Sequence, residues 1–384
     1  MRPWMVLAVV WMGGWAGCGG DGDGQVELPR TASFATWNVG LAYNFVPLAT
    51  ERRQAVFDAV AGIDADVVCL NEVWLKEDLQ AIEAAAKAAG FQGVFYNYTQ
   101  EDIADLPVAC TEGDTKDLGP CATTNCQNVV DLVGCVTTQC KASFEAISSG
   151  CLTCLASNLD KNIDGILNAC AKGGGKYSYG GANGLMLLTR APMTEPTWVE
   201  LKSSLIARDY LRAKVTPQGR PLDVYCTHLT ATMAAVQYPG EFGSYAAEQA
   251  QQIDALVADV TARSASGGAV VLGDTNCGIA NGSAVSAELP ENFARFTVAG
   301  FSDPFASSAG ATCSFCNENP LVASGADKGS PNVLIDHVLL HGVSGSSKGQ
   351  RILQQPVTVE VNGVPQTTNL SDHFGLRVEV DFAK

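Results

Sequence analysis

Histidine is scarce in this chain: 384 residues hold four, His228, His337, His341 and His373. Any imidazole chemistry is confined to those positions. Charge is thin as well, at 17%, and its basic share is the smaller one, 24 Lys and Arg against 40 Asp and Glu, leaving a net charge of −16. That balance excludes a protein held on polyanions by bulk electrostatics. It leaves a nuclease open, because a local metal ion can supply positive charge at one point. Long apolar runs are missing too: residues 5–11 are too short a run to span a bilayer, and no later segment is apolar for long enough. Hydrophobic residues nevertheless make up 47%, so a sizeable core can be buried and wholesale disorder is excluded. Cysteine is plentiful. Fourteen are many for a reducing cytosol and suit an oxidising compartment.

The first residues read as an export signal. Arg2 supplies the positive start, residues 5–11 the apolar run, and Trp15-Ala16-Gly17-Cys18 resembles a bacterial lipobox. The expectation is a signal peptide over residues 1–17 and a lipidated Cys18 opening a flexible, Gly-rich tether over 18–30. The protein would then be an exported lipoprotein held at a membrane or cell surface through that anchor. The alternative is a cleaved secretory peptide and a secreted protein. The catalytic domain is expected over 31–384.

Short β-branched runs alternate with amphipathic stretches. Strands are predicted at 33–39, 66–72, 93–96, 184–189, 209–215, 222–228, 269–274, 333–340 and 375–382, and helices at 51–61, 75–89 and 245–263. Many strands with few helices between them suit an α/β chain built as a two-sheet sandwich better than a strictly alternating parallel sheet. Residues 100–180 break the pattern with eight cysteines, Cys110, Cys121, Cys126, Cys135, Cys140, Cys151, Cys154 and Cys170, and apolar spacing that favours short helices. A disulfide-stapled helical insert is the expectation. A Cys-only zinc site is its rival, but the segment has no histidine and free thiolates would be exposed to oxidation. Cys313 and Cys316 can close on each other or on Cys277. Cys69 and Cys226 lie inside apolar strands, where a reduced thiol behaves as a small hydrophobe, and Cys69 is expected to stay reduced.

The histidines carry the functional signal by where they stand. His228 ends a strand in Cys226-Thr227-His228-Leu229, and His373 lies in Ser371-Asp372-His373. Asp336 precedes His337 in Ile335-Asp336-His337. Asn38 closes a strand in Trp37-Asn38-Val39, Glu72 another in Asn71-Glu72-Val73, and Asp274 and Asn276 a third in Gly273-Asp274-Thr275-Asn276. Singly, each is an ordinary turn residue. Together they are a set of oxygen and imidazole groups at strand ends, suited to a hard metal and a phosphate.

In this order the motifs resemble the endonuclease/exonuclease/phosphatase superfamily, the fold of deoxyribonuclease I. The resemblance spans Asn38 to His373 except the cysteine insert. It implies a four-layered α/β sandwich, two packed mixed β-sheets flanked by helices, interrupted by a disulfide-rich helical subdomain. It also implies an enzyme, a metal-dependent hydrolase of phosphate esters. Glu72 is then the principal Mg²⁺ ligand (Mn²⁺ being the other candidate ion), with Asn38 beside it and Asp372 next to the metal or a second-metal position. Asp274 would orient or deprotonate the attacking water, and Asn276 would hold a non-bridging oxygen. His228 would donate to the phosphoryl group or leaving oxygen, and His373 would contact the phosphate with its tautomer set by Asp336. Whether Asp274 or His373 is the formal base stays open. Asn183-Gly184-Leu185, Thr227-His228-Leu229-Thr230-Ala231 and Ala247-Glu248-Gln249 look most like the neutral sphingomyelinase branch, implying a phospholipid phosphodiester. Extracellular nuclease and phosphomonoesterase are the alternatives, with nucleic acid as the other substrate. No obligate protein partner is predicted. A binding protein that had lost catalysis would be expected to lack one of these residues, and none is substituted.

Overall fold

The computed structural model describes residues 31–382 apart from 100–106, 130, 174–177, 264–266, 309 and 326–327. The expected leader, Cys18 and the tether lie outside the described residues. Strands follow in the order β1 (Thr31–Asn38), β2 (Val67–Asn71), β3 (Gly93–Phe95), β4 (Met186–Thr189), β5 (Met193–Leu201), β6 (Arg208–Val215), β7 (Leu222–His228), β8 (Ala269–Asp274), β9 (Phe301–Ser302), β10 (Asp336–His341), β11 (Gly345–Ile352), β12 (Val357–Val361), β13 (Val364–Thr368) and β14 (Gly375–Phe382). They make two six-stranded mixed sheets, ordered β11-β14-β1-β2-β4-β3 and β5-β6-β7-β8-β10-β9, and a separate β12–β13 hairpin. In each large sheet a central pair is parallel, β1 with β2 and β7 with β8. The other pairs are antiparallel.

The layers follow from period-two alternation in strands buried on both faces. Phe34, Val67 and Cys69 point from the first sheet, and Val224, Cys226, Val270 and Leu272 from the second, into one shared core. On the reverse of the first sheet, Trp37, Val68 and Leu70 meet α1 (Ala49–Ala61) and α2 (Lys76–Ala88) through Val56, Phe57, Leu79 and Ile82. On the reverse of the second, Tyr225 and Val271 meet α8 (Tyr245–Arg263) and α9 (Pro290–Val298) through Ile253, Leu256, Val260 and Phe293. This is the four-layered sandwich.

Between β3 and β4 lie the short helices α3 (Glu112–Asn125), α4 (Leu132–Gln139), α5 (Lys141–Phe144), α6 (Ser149–Ser157) and α7 (Ile163–Cys170). Such short helices are marginal alone, and local chemistry supports them. Thr111 and Asp114 form a reciprocal capping box on α3. Asp131, Ser148 and Asn162 accept backbone N–H bonds at the starts of α4, α6 and α7. Four disulfides staple them: Cys110–Cys151, Cys121–Cys140, Cys126–Cys135 and Cys154–Cys170. The insert sits on both halves of the sandwich. Asn44, in the loop after β1, donates through Nδ2 to the Leu159 carbonyl at 2.6 Å, and Thr153 donates to the Ser204 carbonyl, ahead of β6, at 3.0 Å.

One expectation is corrected. Cys69 and Cys226 are joined in a disulfide with Cα atoms 5.3 Å apart. They lie on the inner faces of β2 and β7, so each apolar strand presents its sulfur directly to the other sheet. Cys313 closes on Cys316, and Cys277 is left as a buried free thiol, pushed up to about 12 by burial. Among the described residues, no helix is long and apolar enough to cross a membrane.

Candidate active site

The parallel pairs place the chemistry. Asn38 ends β1 and Glu72 directly follows β2, while His228 and Asp274 end β7 and β8 in register with each other. Asp336 opens β10, and Asp372 and His373 lead into β14. All eight residues expected from the sequence gather at one end of the sandwich. Asn38 Nδ2 bridges the two sheets, donating to Glu72 Oε1 and to Asp274 Oδ2, each at 3.1 Å. His373 Nδ1 donates to Asp336 Oδ2 at 2.8 Å, and its Nε2 lies 3.9 Å from Asp274 Oδ2. His228 Nε2 stands 3.5 Å from the same Asp274 oxygen. The Asn276 backbone N–H donates to Asp274 Oδ1 at 2.9 Å, and its side chain to the Leu229 carbonyl at 3.0 Å. Asp372 Oδ1 accepts from Ser371 Oγ at 3.0 Å, and the same hydroxyl donates to the Asn38 carbonyl in one arm of a shared contact.

The backbone is bent to serve this cluster. Glu72 and Asn276 are non-glycine residues with φ of 62° and 50°, a left-handed conformation that costs free energy and persists where the surroundings hold it. Gly40, with φ of 56°, packs so tightly on Asp372 that any Cβ there would strike its carboxylate. Arg52, fully buried, ties this corner by donating to the carbonyls of Pro47, Gly40 and Leu370. Burial pulls its guanidinium down to about 10, against the opposing pull of Asp372 and Glu72.

Electrostatically the site is short of positive charge. Burial and the neighbouring Asp372 push Glu72 up to about 7, and burial with Asp336 pushes Asp274 up to about 6. Burial lowers His373 but is outweighed by Asp336, Asp372 and Asp274, which hold it well above the ordinary histidine range. His228 goes the other way, lowered by burial and then by Arg208 and His373, so it is neutral. Glu72 Oε2 and Asp336 Oδ1 are buried without a partner. Crowded carboxylates with unpartnered oxygens fit a hard divalent cation, which prefers oxygen ligands. Asp274, Asp336 and His373 also offer ligand atoms all within 4.8 Å of one another.

Two contributors, Arg208 and Asn71, have no role in the reading of the sequence, and a third, the Glu248-Gln249 pair, stands there only as part of a resemblance. Arg208, at the start of β6, lines the same cavity with Nη1 buried and unpartnered. An arginine opening a strand reads as a solvated residue, and no sequence signal marked it. Asn71 appeared only as the neighbour of Glu72. It donates through Nδ2 to the Thr227 carbonyl at 2.8 Å and accepts from the Asp274 N–H at 3.1 Å, locking the two sheets together beneath the site. The first turns of α8 brace the loop beyond: Gln249 donates to the carbonyls of Thr230 and Asn276, and Glu248 accepts from Thr230 and Tyr238.

Two mixed sheets with helices outside carry a carboxylate–histidine cluster at the ends of their central parallel pairs, an arrangement shared with a family whose members are hydrolases of phosphate esters. The chain belongs to the endonuclease/exonuclease/phosphatase family, whose sequence model matches residues 35–373. Solved structures agree in fold. Sphingomyelinase C from Streptomyces griseocarneus superposes with a TM-score of 0.54 at 16% identity, covering 91% of this chain and 99% of that one. A beta toxin variant from Staphylococcus aureus with bound magnesium ions gives 0.56 at 13%, covering 92% and 99%. Truncated TDP2 from Caenorhabditis elegans gives 0.51 at 13%, covering 92% and 98%. Among curated protein sequences, nothing matches the chain.

Proposed function

We propose that this protein is a divalent-metal-dependent phosphodiesterase acting on a phospholipid, in the manner of sphingomyelinase C. The observation that carries the reading is the cluster itself: three buried carboxylates, Asp274, Asp336 and Asp372, and the half-buried Glu72 around Asn38, with His228, His373 and Arg208 at one cavity. Glu72, Asn38 and Asp372 would hold Mg²⁺ or Mn²⁺. The ion supplies positive charge against the developing negative charge on the phosphoryl group. This chain's residues then do the rest. Asp274 aligns water for in-line attack and takes its proton, while the neighbouring His373 imidazolium, oriented by Asp336, donates toward the phosphoryl group. Asn276 and the free Nη1 of Arg208 face the non-bridging oxygens, and neutral His228 donates toward the leaving oxygen.

The lipid reading is supported by the sphingomyelinase neighbour, the net charge of −16 and the apolar continuation of the cavity. Six disulfides among the described residues suit an extracytoplasmic setting. There, Cys18 would carry a lipid anchor after removal of residues 1–17. A panel of sphingomyelin, phosphatidylcholine, plasmid DNA and inositol phosphates, with Mg²⁺ and with chelator, tests the reading. Chelator-sensitive release of phosphocholine is expected. Cleavage of DNA alone would replace the lipid by nucleic acid, and turnover in excess chelator would remove the metal.

A further inference from the structure

The catalytic cluster opens into a cavity of about 330 Å³, within the range of ligand-binding clefts. Its polar groups are concentrated at the catalytic end. Away from it the walls are mostly apolar side chains, Thr137 of α4 being the exception on the insert, with Leu132 and Val136 of α4, Leu155 of α6 and Ile166 of α7 facing Phe45 and Ile206 of the catalytic domain. Three hydrophobic clusters ring this space. Leu159 belongs both to the insert's cluster and to the one around Trp74 and Tyr179, and Ile206 joins that cluster to the one around Leu152 and Leu205. Several of these side chains are only half-buried although they belong to the insert's apolar faces. Helices arranged around a hollow forgo the packing that ordinarily holds a small helical unit together. Four disulfides within one insert offset that loss and keep the hollow open.

We propose that the insert is a chain-binding pocket, which holds one aliphatic chain of a lipid phosphodiester under α4, α6 and α7 while the phosphate lies at His228, Asp274 and His373. The proposal rests on the phospholipid reading above and narrows it. The substrate is a lipid whose chain leaves the membrane plane or arrives as a monomer. Apolar walls of this kind take apolar guests, and their continuity with the reacting groups selects a guest with a phosphate at one end.

The test is direct binding to the full-length, oxidised protein with Mg²⁺ present. Calorimetry compares phosphocholine with butyl-, octyl- and dodecylphosphocholine, each below its micelle concentration. Affinity should climb by roughly two- to fourfold per methylene, the gain for burying one from water. Leu155→Trp and Ile163→Trp, which fill the hollow from half-buried positions, should flatten that climb. Val298→Trp, on the exposed outer face of α9, should leave it intact. A dodecyl chain ending in a photoactivated diazirine should label peptides carrying α4, α6 or α7, a readout that needs no variant to fold. Affinity that is flat with chain length overturns the pocket, as does labelling confined to other segments. The two readings separate cleanly. Chelator-sensitive cleavage of phosphodiesters with no chain-length dependence sinks the pocket and leaves the phosphodiesterase, whereas tight chain-dependent binding without hydrolysis of any lipid does the reverse.

Discussion

Removing the Cys69–Cys226 disulfide is the most quantitative perturbation the structure offers. The bond spans 157 positions and joins the inner faces of the two sheets. Loop-closure entropy depends on loop length logarithmically. Whether the full separation is used or one shortened to roughly 100 residues by the insert's own cross-links, the unfolded-state constraint comes to about 5 kcal/mol. With an unfolding entropy of about 2.1 cal/mol/K per residue over some 350 folded residues, that corresponds to a drop in Tm of about 7 °C. The double substitution Cys69→Ala/Cys226→Ala removes the bond without leaving an odd thiol. Calorimetric melting of the parent and the double variant, both fully oxidised elsewhere, gives the shift. Activity at 25 °C should survive, because Asn71 still ties the sheets beneath the site. A Tm change under about 2 °C, far below this estimate, would refute the entropic reasoning. Alkylation of Cys69 and Cys226 in the unfolded, unreduced chain would remove the bond itself.

Other outcomes follow from the same structure. Mg²⁺ at a hundredfold its Kd should stabilise the protein by about 2.7 kcal/mol, and Glu72→Gln should abolish that gain together with turnover, read by melting with and without chelator. Asp274→Asn and His373→Ala should each lower turnover by about 10²- to 10⁴-fold in a folded protein; a loss under tenfold removes that residue from the reacting centre. His337 donates through Nδ1 to Asp303 at 2.5 Å and through Nε2 to the Cys277 carbonyl at 2.9 Å, both buried. Burial lowers its pKa, but Asp303 outweighs burial and the net shift is upward. A raised histidine contributes stability that is full below the unfolded value and fades as pH rises through the folded one. Asp303→Asn should therefore destabilise by about 3 to 5 kcal/mol at acid pH, with the penalty shrinking toward alkaline pH in urea melts. A penalty that grows with pH contradicts the assignment. Mass mapping of native, alkylated protein should find the insert's eight cysteines and Cys277 all unlabelled, the former by oxidation and the latter by burial.

The strands that carry the site were legible because they are buried on both faces and each ends in a polar residue that a core strand would otherwise lack. Asn38, Glu72, His228 and Asp274 announce themselves in this way. The edges were not legible. Gly345–Ile352 is mostly exposed and polar, and it is a strand because β14 offers it a full antiparallel ladder. Met193–Leu201 is interrupted by a bulge and buries little. Strand propensity measures such neighbours as much as the residue itself. The disulfide between Cys69 and Cys226 escaped for a related reason. Two cysteines in two apolar strands look like core methyl groups until the sheets are stacked and their sulfurs meet. Arg208 escaped because its neighbours in sequence say nothing of the carboxylates that its fold position gives it.

The site is split evenly between the sheets. Asn38, Glu72, Asp372 and His373 come from one, and His228, Asp274, Asn276 and Asp336 from the other. Neither sheet owns a working half, since the groups suited to an ion stand mainly on the first and those proposed to handle the water's proton mainly on the second. A slip of one sheet over the other by a single residue, about 3.3 Å, would part Asn38 from Asp274 and His373 from Asp336 while leaving each sheet internally sound. Turnover thus works as a gauge of how the two halves are seated. A chain in which both sheets have formed but not yet docked is silent, however native its secondary structure.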